Sequence, residues 1–566
     1  MKKVTAVLVL SLLAAACSKK DDGPSAPVIA PATERSIAQG QLVGLTAENG
    51  AHVWRGIPFA ASTAGENRWR APRPASGWSG TREALEFSER CLQFTNRYDE
   101  PQGLEAGQIV GSEDCLTLNI FAPADAQGKD LPVMLWIHGG GNVWGSAATY
   151  DGSRLAENEN VIVVTVQYRL GPLGWFAWDE LRNAAETEAD SAANFATLDL
   201  IASLEWVRDN ISAFGGNPGS VTIFGESAGG HNVVSLLASP LAEGLFHKAI
   251  IQSGSFDSFS IAEAEGRSGN LANASGEILS GLGVGTVEEL RALSVEDFLT
   301  PFWSDVGGFL DAPRIIEDGV VLPAGSMRAA FGNTQDFNNV PIMTGTNRDE
   351  MKLFYLGNED LTKTMFGIFF VARDQDLYDA ASDYASRVWR VRSVDQPASL
   401  MERAGHSDVY AYRFDWDDGG RFLFMDLKKM LGAAHAMEIP FVFNVFSLLG
   451  DADRIMFQKK TEDDRQQLSR TMGSYWANFA RNGVPSAGDA PTWPVYTAGG
   501  TSVLRLDAES DGGIELLREP DSIDSIINDL RADARVTDEE KCLIGESIVE
   551  WVPTLATEVM GRLGCD

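Results

Sequence analysis

The sequence predicts an α/β fold: a mostly parallel central sheet covered by helices on both faces, with large insertions that shape a pocket. Three observations lead there. The apolar runs 131–137, 161–166 and 221–224 show little polar alternation, as strands buried on both faces require. They alternate with helical stretches such as 198–210, the order that builds a parallel sheet. The third run passes directly into Gly225-Glu226-Ser227-Ala228-Gly229, and Val233, Leu236 and Leu237 then recur at helical spacing. Strand, abrupt turn and helix follow one another around a single serine.

The chain opens as an export signal. Lys2 and Lys3 precede an apolar stretch, 4–13, and then Ala14-Ala15-Ala16-Cys17. Small residues directly before a cysteine resemble a bacterial lipoprotein signal, so residues 1–17 are read as a signal peptide with Cys17 as the lipidated residue. Ordinary secretory cleavage after the alanines is the alternative. Leu13 stands four residues before the cysteine, where lipoprotein signals usually have leucine three before. Residues 18–36 are rich in Ser, Lys, Asp, Pro and Ala and read as a flexible tether. No repeat or composition break follows, so 37–566 is taken as one catalytic domain. The expected location is an exported, membrane-anchored lipoprotein, with a soluble secreted or periplasmic form as the alternative. Beyond the anchor no membrane partner is expected, and oligomeric state is not legible.

Composition narrows the partners. With 79 acidic against 46 basic residues the net charge is −33. Nucleic acid is excluded as a partner, because phosphate binding needs a dense basic surface. A well-solvated acidic surface is the plain account of this charge. Setting Cys17 aside leaves Cys91, Cys115, Cys542 and Cys565, an even set suited to two disulfides in an oxidising compartment. Proximity in sequence pairs Cys91 with Cys115 and Cys542 with Cys565.

The chemistry begins at residues 131–137, which end in His138-Gly139-Gly140-Gly141. Such a glycine-rich loop after a strand lends backbone N–H groups to an oxyanion, and a side chain there would block the acyl carbonyl. Gly140, Gly141 and Ala228 are the expected donors, and His138 is expected to order the loop without taking a proton. Ser227 is the nucleophile, held above the sheet by a strained turn with small residues two positions either side.

Its base and acid should follow in the order serine, acid, histidine. Only His406 and His435 lie far enough downstream. His435, in a small-residue turn before an apolar run, is preferred; His406, just ahead of an alternating strand, reads as a surface residue. Residues 340–344 read as a strand followed by Gly345-Thr346-Asn347-Arg348-Asp349-Glu350. Glu350 is the choice for the acid, and Asp349 stands almost level with it on pattern alone. Gly281-Leu282-Gly283-Val284-Gly285 lacks the preceding strand of a dinucleotide site and reads as a loop between helices. No metal-binding spacing occurs, and neither a metal nor an organic cofactor is expected.

These motifs together resemble the type-B carboxylesterases, the cholinesterase-like branch of the α/β-hydrolases. The resemblance runs from about residue 40 to residue 507 and is carried by Trp54-Arg55-Gly56-Ile57-Pro58-Phe59-Ala60, Ser112-Glu113-Asp114-Cys115-Leu116, the His138 loop, Tyr168-Arg169-Leu170-Gly171-Pro172-Leu173-Gly174, Ala213-Phe214-Gly215-Gly216-Asn217-Pro218 and 225–230. It implies an α/β-hydrolase fold, Ser227 as nucleophile, Glu350 rather than Asp349 as acid, His435 as base, and a Cys91–Cys115 bridge. It does not clearly cover the tail that holds Cys542 and Cys565. Met351 stands where relatives usually have glycine, and Asn142 where they commonly have an aromatic residue. Between Cys91 and Cys115 only Tyr98 follows Phe94 as an aromatic, so choline esters are not favoured.

The expected function is therefore hydrolysis of small-molecule carboxylic esters through an acyl-enzyme. The alternatives are a non-catalytic surface adhesion protein of the same fold, or amide or carbamate cleavage with the same residues.

Overall fold

A computed structural model describes residues 27–96, 99, 104–269, 271, 273–303, 314–366, 369–447, 453–500, 502–517 and 521–565. Cys17, the rest of the signal segment and Tyr98 lie outside the described residues.

Among the described residues eleven strands form one sheet. In chain order they are β1 (Leu45–Thr46), β2 (His52–Pro58), β3 (Thr117–Ala122), β4 (Leu131–Ile137), β5 (Ile162–Val166), β6 (Gly216–Glu226), β7 (Lys248–Gln252), β8 (Ile342–Asn347), β9 (Val409–Phe414), β10 (Val503–Leu506) and β11 (Glu515–Leu517). Across the sheet the order is β11-β10-β9-β8-β7-β6-β4-β5-β3-β2-β1. The seven strands from β10 to β5 run parallel, and antiparallel pairing is confined to the flanks. Strand β4 sits between β5 and β6, so the chain reverses its direction of travel across the sheet there. Crevices at the strand ends beside such a switch are where open α/β sheets place their ligands.

The uninterrupted apolar character of the strands has a direct cause. Val133, Leu135 and Ile137 of β4 join one core, while Met134 and Trp136 join another on the opposite face. Successive side chains point to opposite faces, and helices cover both. Helices α1 (Phe195–Asn210) and α2 (Ala228–Ala238) pack into the first core, and α3 (Gln375–Arg390) contributes mainly to a third. Helix α4 (Glu462–Asn482) closes the second through Leu468, Met472, Trp476 and Phe479.

The tail forms three helices, α5 (Ile523–Ala532), α6 (Asp538–Trp551) and α7 (Ala556–Leu563). Ile526, Ile527, Leu530, Ile544 and Ile548 pack with Tyr378, Ala381 and Val388 of α3 to make that third core. The Cys542–Cys565 bridge ties α6 to the residues after α7. Both expected disulfides are present, and Cys91–Cys115 joins Cα atoms 5.0 Å apart.

The end of the segment read as a tether makes contacts with later strands. Ala30 N–H donates to Gly44 O (3.0 Å), Thr33 Oγ1 accepts from Gly44 N–H (2.7 Å), and Trp54 Nε1–H donates to Thr33 O (2.8 Å). Arg35–Ile37 then pairs with Gly40–Val43. Residues 30–36, low in apolar content, are thus held by hydrogen bonds and by pairing with a later strand. Among the described residues no helix is long and apolar enough to cross a membrane.

Candidate active site

Ser227 occupies the junction of β6 and α2 with φ 58° and ψ −121°. This left-handed backbone is unfavourable for a residue with a Cβ and is imposed by its surroundings. Ser227 N–H donates to Gln252 O (2.9 Å) at the end of β7, and Ser227 O accepts from His231 N–H (2.9 Å) in α2. The flanking glycines permit the turn. A Cβ on Gly225 would lie 2.6 Å from the backbone of Gly229, and one on Gly229 would collide with Ile137 O.

The glycine-rich loop 138–141, read as a source of oxyanion donors, follows β4. Gly140 and Gly141 both have positive φ (101° and 61°), and their N–H groups have no acceptor among the described residues. Ala228 N–H opens helix α2, where the first-turn amides lack helical partners. His138 stacks on Tyr168 with ring centroids 4.4 Å apart, and its Nδ1 lies 2.9 Å from Gly139 O. Burial pushes its imidazole down to about 4, so it stays neutral.

Asn142 explains its own departure from the family pattern. Its φ is 61°, a conformation asparagine tolerates better than bulky aromatic residues. Its Oδ1 accepts from Asn232 Nδ2–H (2.8 Å) in α2, locking the loop to the helix behind Ser227. The Cys91–Cys115 bridge buttresses the same loop, because Gln93 exchanges two 2.9 Å hydrogen bonds with Gly145.

Strand β8 delivers Glu350, which is fully buried. Its Oε1 accepts from Ser253 Oγ–H (2.5 Å) and Asn347 N–H (2.7 Å), and its Oε2 lies 2.5 Å from His435 Nδ1. Asp349 has a different task. Its N–H donates to Ala433 O and its Oδ2 accepts from Ala433 N–H, both at 3.0 Å, while Arg348 and Lys352 balance its charge. It clamps the loop carrying His435 but does not reach the imidazole. Gly432 is required at this clamp, since a Cβ there would strike Asp349 Oδ2.

His435 Nε2 points to the serine turn. It lies 3.1 Å from Glu226 Oε1 without hydrogen-bond alignment and has no other partner among the described residues. Hydrogen bonds between a nucleophile and its base often tighten only once substrate is bound. Burial pushes the Glu226 carboxyl up to about 8, with His435 opposing the rise and Glu438 and Glu350 adding to it. Burial works downward on His435, but Glu226 and Glu350 more than offset it and hold the imidazole up at about 9.

Sequence reasoning missed the layer behind these groups. Glu438, fully buried and pushed up by burial, accepts from Gln252 Nε2–H (3.1 Å) and Asn347 Nδ2–H (2.7 Å), and Trp476 Nε1–H donates to Gln252 Oε1 (3.0 Å). A charged residue just ahead of the apolar run Ile439-Pro440-Phe441-Val442 was the available signal, because an acid entering a core needs donors. His406, expected at the surface, is buried against Phe337 with Nδ1 facing Asn339 Oδ1. The glycine-rich stretch 281–285 does join two helices, Ser275–Leu282 and Val287–Ala292. Asp417, Asp418 and Asp511 converge as a cation site would, but Lys428 Nζ sits among them at 2.7, 3.3 and 3.1 Å and supplies the positive charge.

A switched parallel sheet carrying a strained serine, a glycine loop at the next strand and an acid–histidine pair beyond defines an α/β-hydrolase. The chain matches the profile of the carboxylesterase family over residues 31–367 and 359–522, and it belongs to that family. Its relatives include the para-nitrobenzyl esterase of Bacillus subtilis, 35% identical over 520 residues that cover 85% of this chain and 96% of the relative. Human cocaine esterase is 33% identical over 500 residues, 81% of this chain and 84% of the relative. Among solved structures, a PNB esterase superposes with a TM-score of 0.69 at 31% identity, covering 86% of this chain and 98% of that one. The protein is a carboxylic ester hydrolase acting as a serine esterase, which sets aside the adhesion alternative.

Proposed function

We propose that Ser227, His435 and Glu350 form the catalytic triad, with Gly140, Gly141 and Ala228 as oxyanion donors, acting on small-molecule carboxylic esters. His435 Nε2 takes the Ser227 proton as Oγ bonds to the acyl carbon, and the carbonyl oxygen becomes an oxyanion held by the amides. The C–O bond to the alcohol then breaks, and His435 returns the proton to the departing oxygen. Water repeats the sequence on the acyl-enzyme: His435 takes its proton, the acid leaves, and Ser227 regains its hydrogen. The observation that carries this reading is His435 itself, bound at Nδ1 to a buried glutamate while Nε2 faces the serine turn with no hydrogen-bond partner. A fluorophosphonate probe is expected to label one residue per chain, Ser227, with loss of all esterase activity. Peptide mapping that places the label elsewhere refutes the assignment.

The charges set the pH profile. The base works only when neutral, so kcat/KM falls as pH drops through the imidazole's titration. Glu226 favours the imidazolium, and Glu226→Gln is therefore expected to move the acid limb of kcat/KM to lower pH. An unmoved limb, or one displaced upward, contradicts this role.

We also propose that the chain is exported and lipidated at Cys17, with the tether linking the anchor to the body that begins at Ala30. The signal-like N-terminus and the two disulfides support an oxidising location. Cys17→Ala is expected to move the protein from the membrane to the soluble fraction; retention on membranes refutes lipidation.

A further inference from the structure

The residues matched to the family end at 522, and the helices α5 to α7 lie beyond them. Yet this appendage reaches toward the proposed catalytic base. Phe354, one turn after Glu350, and Trp389 in α3 flank the His435 imidazole, with ring centroids 5.1 and 5.0 Å away. Their own rings stack at 5.7 Å and 25°. Trp551, the last residue of α6, continues the series at 4.8 Å from Phe354 and 6.2 Å from Trp389. Three aromatic rings thus lead from the imidazole to the surface, where Trp551 remains 48% exposed.

We propose that this aromatic wall, completed by Trp551 of the appendage, receives the alcohol portion of the ester and gives the enzyme a preference for aromatic alcohols. The inference rests on His435 being the base. An imidazole that returns its proton to the departing alcohol must touch that alcohol's oxygen, so rings flanking the imidazole border the leaving group.

Packing of the tail alone does not account for Trp551. Ile544 and Ile548 of the same helix already anchor it in the third core and are buried, whereas the largest side chain at its end is left half in water beside two other partly exposed rings. The three rings together present one continuous aromatic surface beside the imidazole. Flat aromatic groups gain additional attraction from offset or edge contacts with such rings, which a small aliphatic alcohol cannot make. The Cys542–Cys565 bridge, one end of which is in α6, then holds a substrate-contacting residue in register.

The test compares kcat/KM for benzyl acetate and methyl acetate in the full-length protein. In Trp551→Ala the benzyl-to-methyl ratio is expected to fall about tenfold, mainly through KM, and Trp551→Phe should restore most of it. The double variant Cys542→Ser/Cys565→Ser should lower the same ratio by releasing α6. An unchanged ratio in Trp551→Ala, or an equal loss on both esters, overturns the proposal and returns Trp551 to a packing role. Undiminished hydrolysis by His435→Ala would instead overturn the triad on which the inference rests, so the two failures are distinguishable.

Discussion

Replacing His435 by alanine is expected to lower kcat for a simple acetate ester by about a million-fold, because nucleophile and base act as a unit and losing either forfeits nearly all of their joint effect. The residue has no local substitute. His138 and His231 are each held neutral by burial at about 4, and their ring nitrogens face Gly139 O and Asp257 O. What survives should come from the backbone donors and substrate binding alone. The substitution also leaves Glu226 and Glu350 buried without their cationic neighbour, so a lowered melting temperature should accompany the loss. Added imidazole separates the two effects: it should restore part of the rate by entering the space left by the ring, without restoring thermal stability. A variant within tenfold of wild type would show that another group serves as base.

Glu350→Gln should be nearly as damaging, lowering kcat by about ten-thousandfold with little change in shape. The carboxylate accepts three hydrogen bonds, two at Oε1 and one at Oε2. A glutamine has one acceptor oxygen, and Ser253 and Asn347 both donate to the same position. If the amide oxygen keeps those two bonds, its NH2 group meets His435 Nδ1, which must then accept. The proton is forced onto Nε2, the wrong tautomer for a base. Asp349→Asn is the control, because that side chain clamps Ala433 instead. It should reduce thermal stability by about 1–3 kcal/mol while retaining most of the rate. A collapse of kcat in Asp349→Asn with Glu350→Gln unaffected would reverse the two assignments.

Much of this arrangement was legible in the residues. Strands β4, β5 and the second half of β6 announce themselves because both faces are covered, so nearly every position in 131–137, 162–166 and 221–224 is apolar. The serine turn is legible because only glycine fits against Ile137 O. Asp349 and Glu350 are harder to separate, since two adjacent acids at a strand end differ only in which way the loop turns them. That direction is fixed by Ala433, eighty-four residues away. His406 was misplaced for a similar reason, because the segment that buries it, around Phe337, is distant in sequence. Residues 35 and 36 read as tether on composition, and what local composition lacks is supplied by a short pairing partner, Gly40–Val43. The aromatic series from His435 to Trp551 draws on three helices, and no single stretch records it.

Among the described residues the apolar interior is divided into four separate bodies, two on the faces of the sheet, one under the tail and one beneath the insertion around residues 278–302. Changes of side-chain volume are felt chiefly by immediate neighbours in a close-packed interior. Volume changes in the body beneath the insertion should therefore be absorbed there, leaving the packing on the two faces of the sheet largely undisturbed.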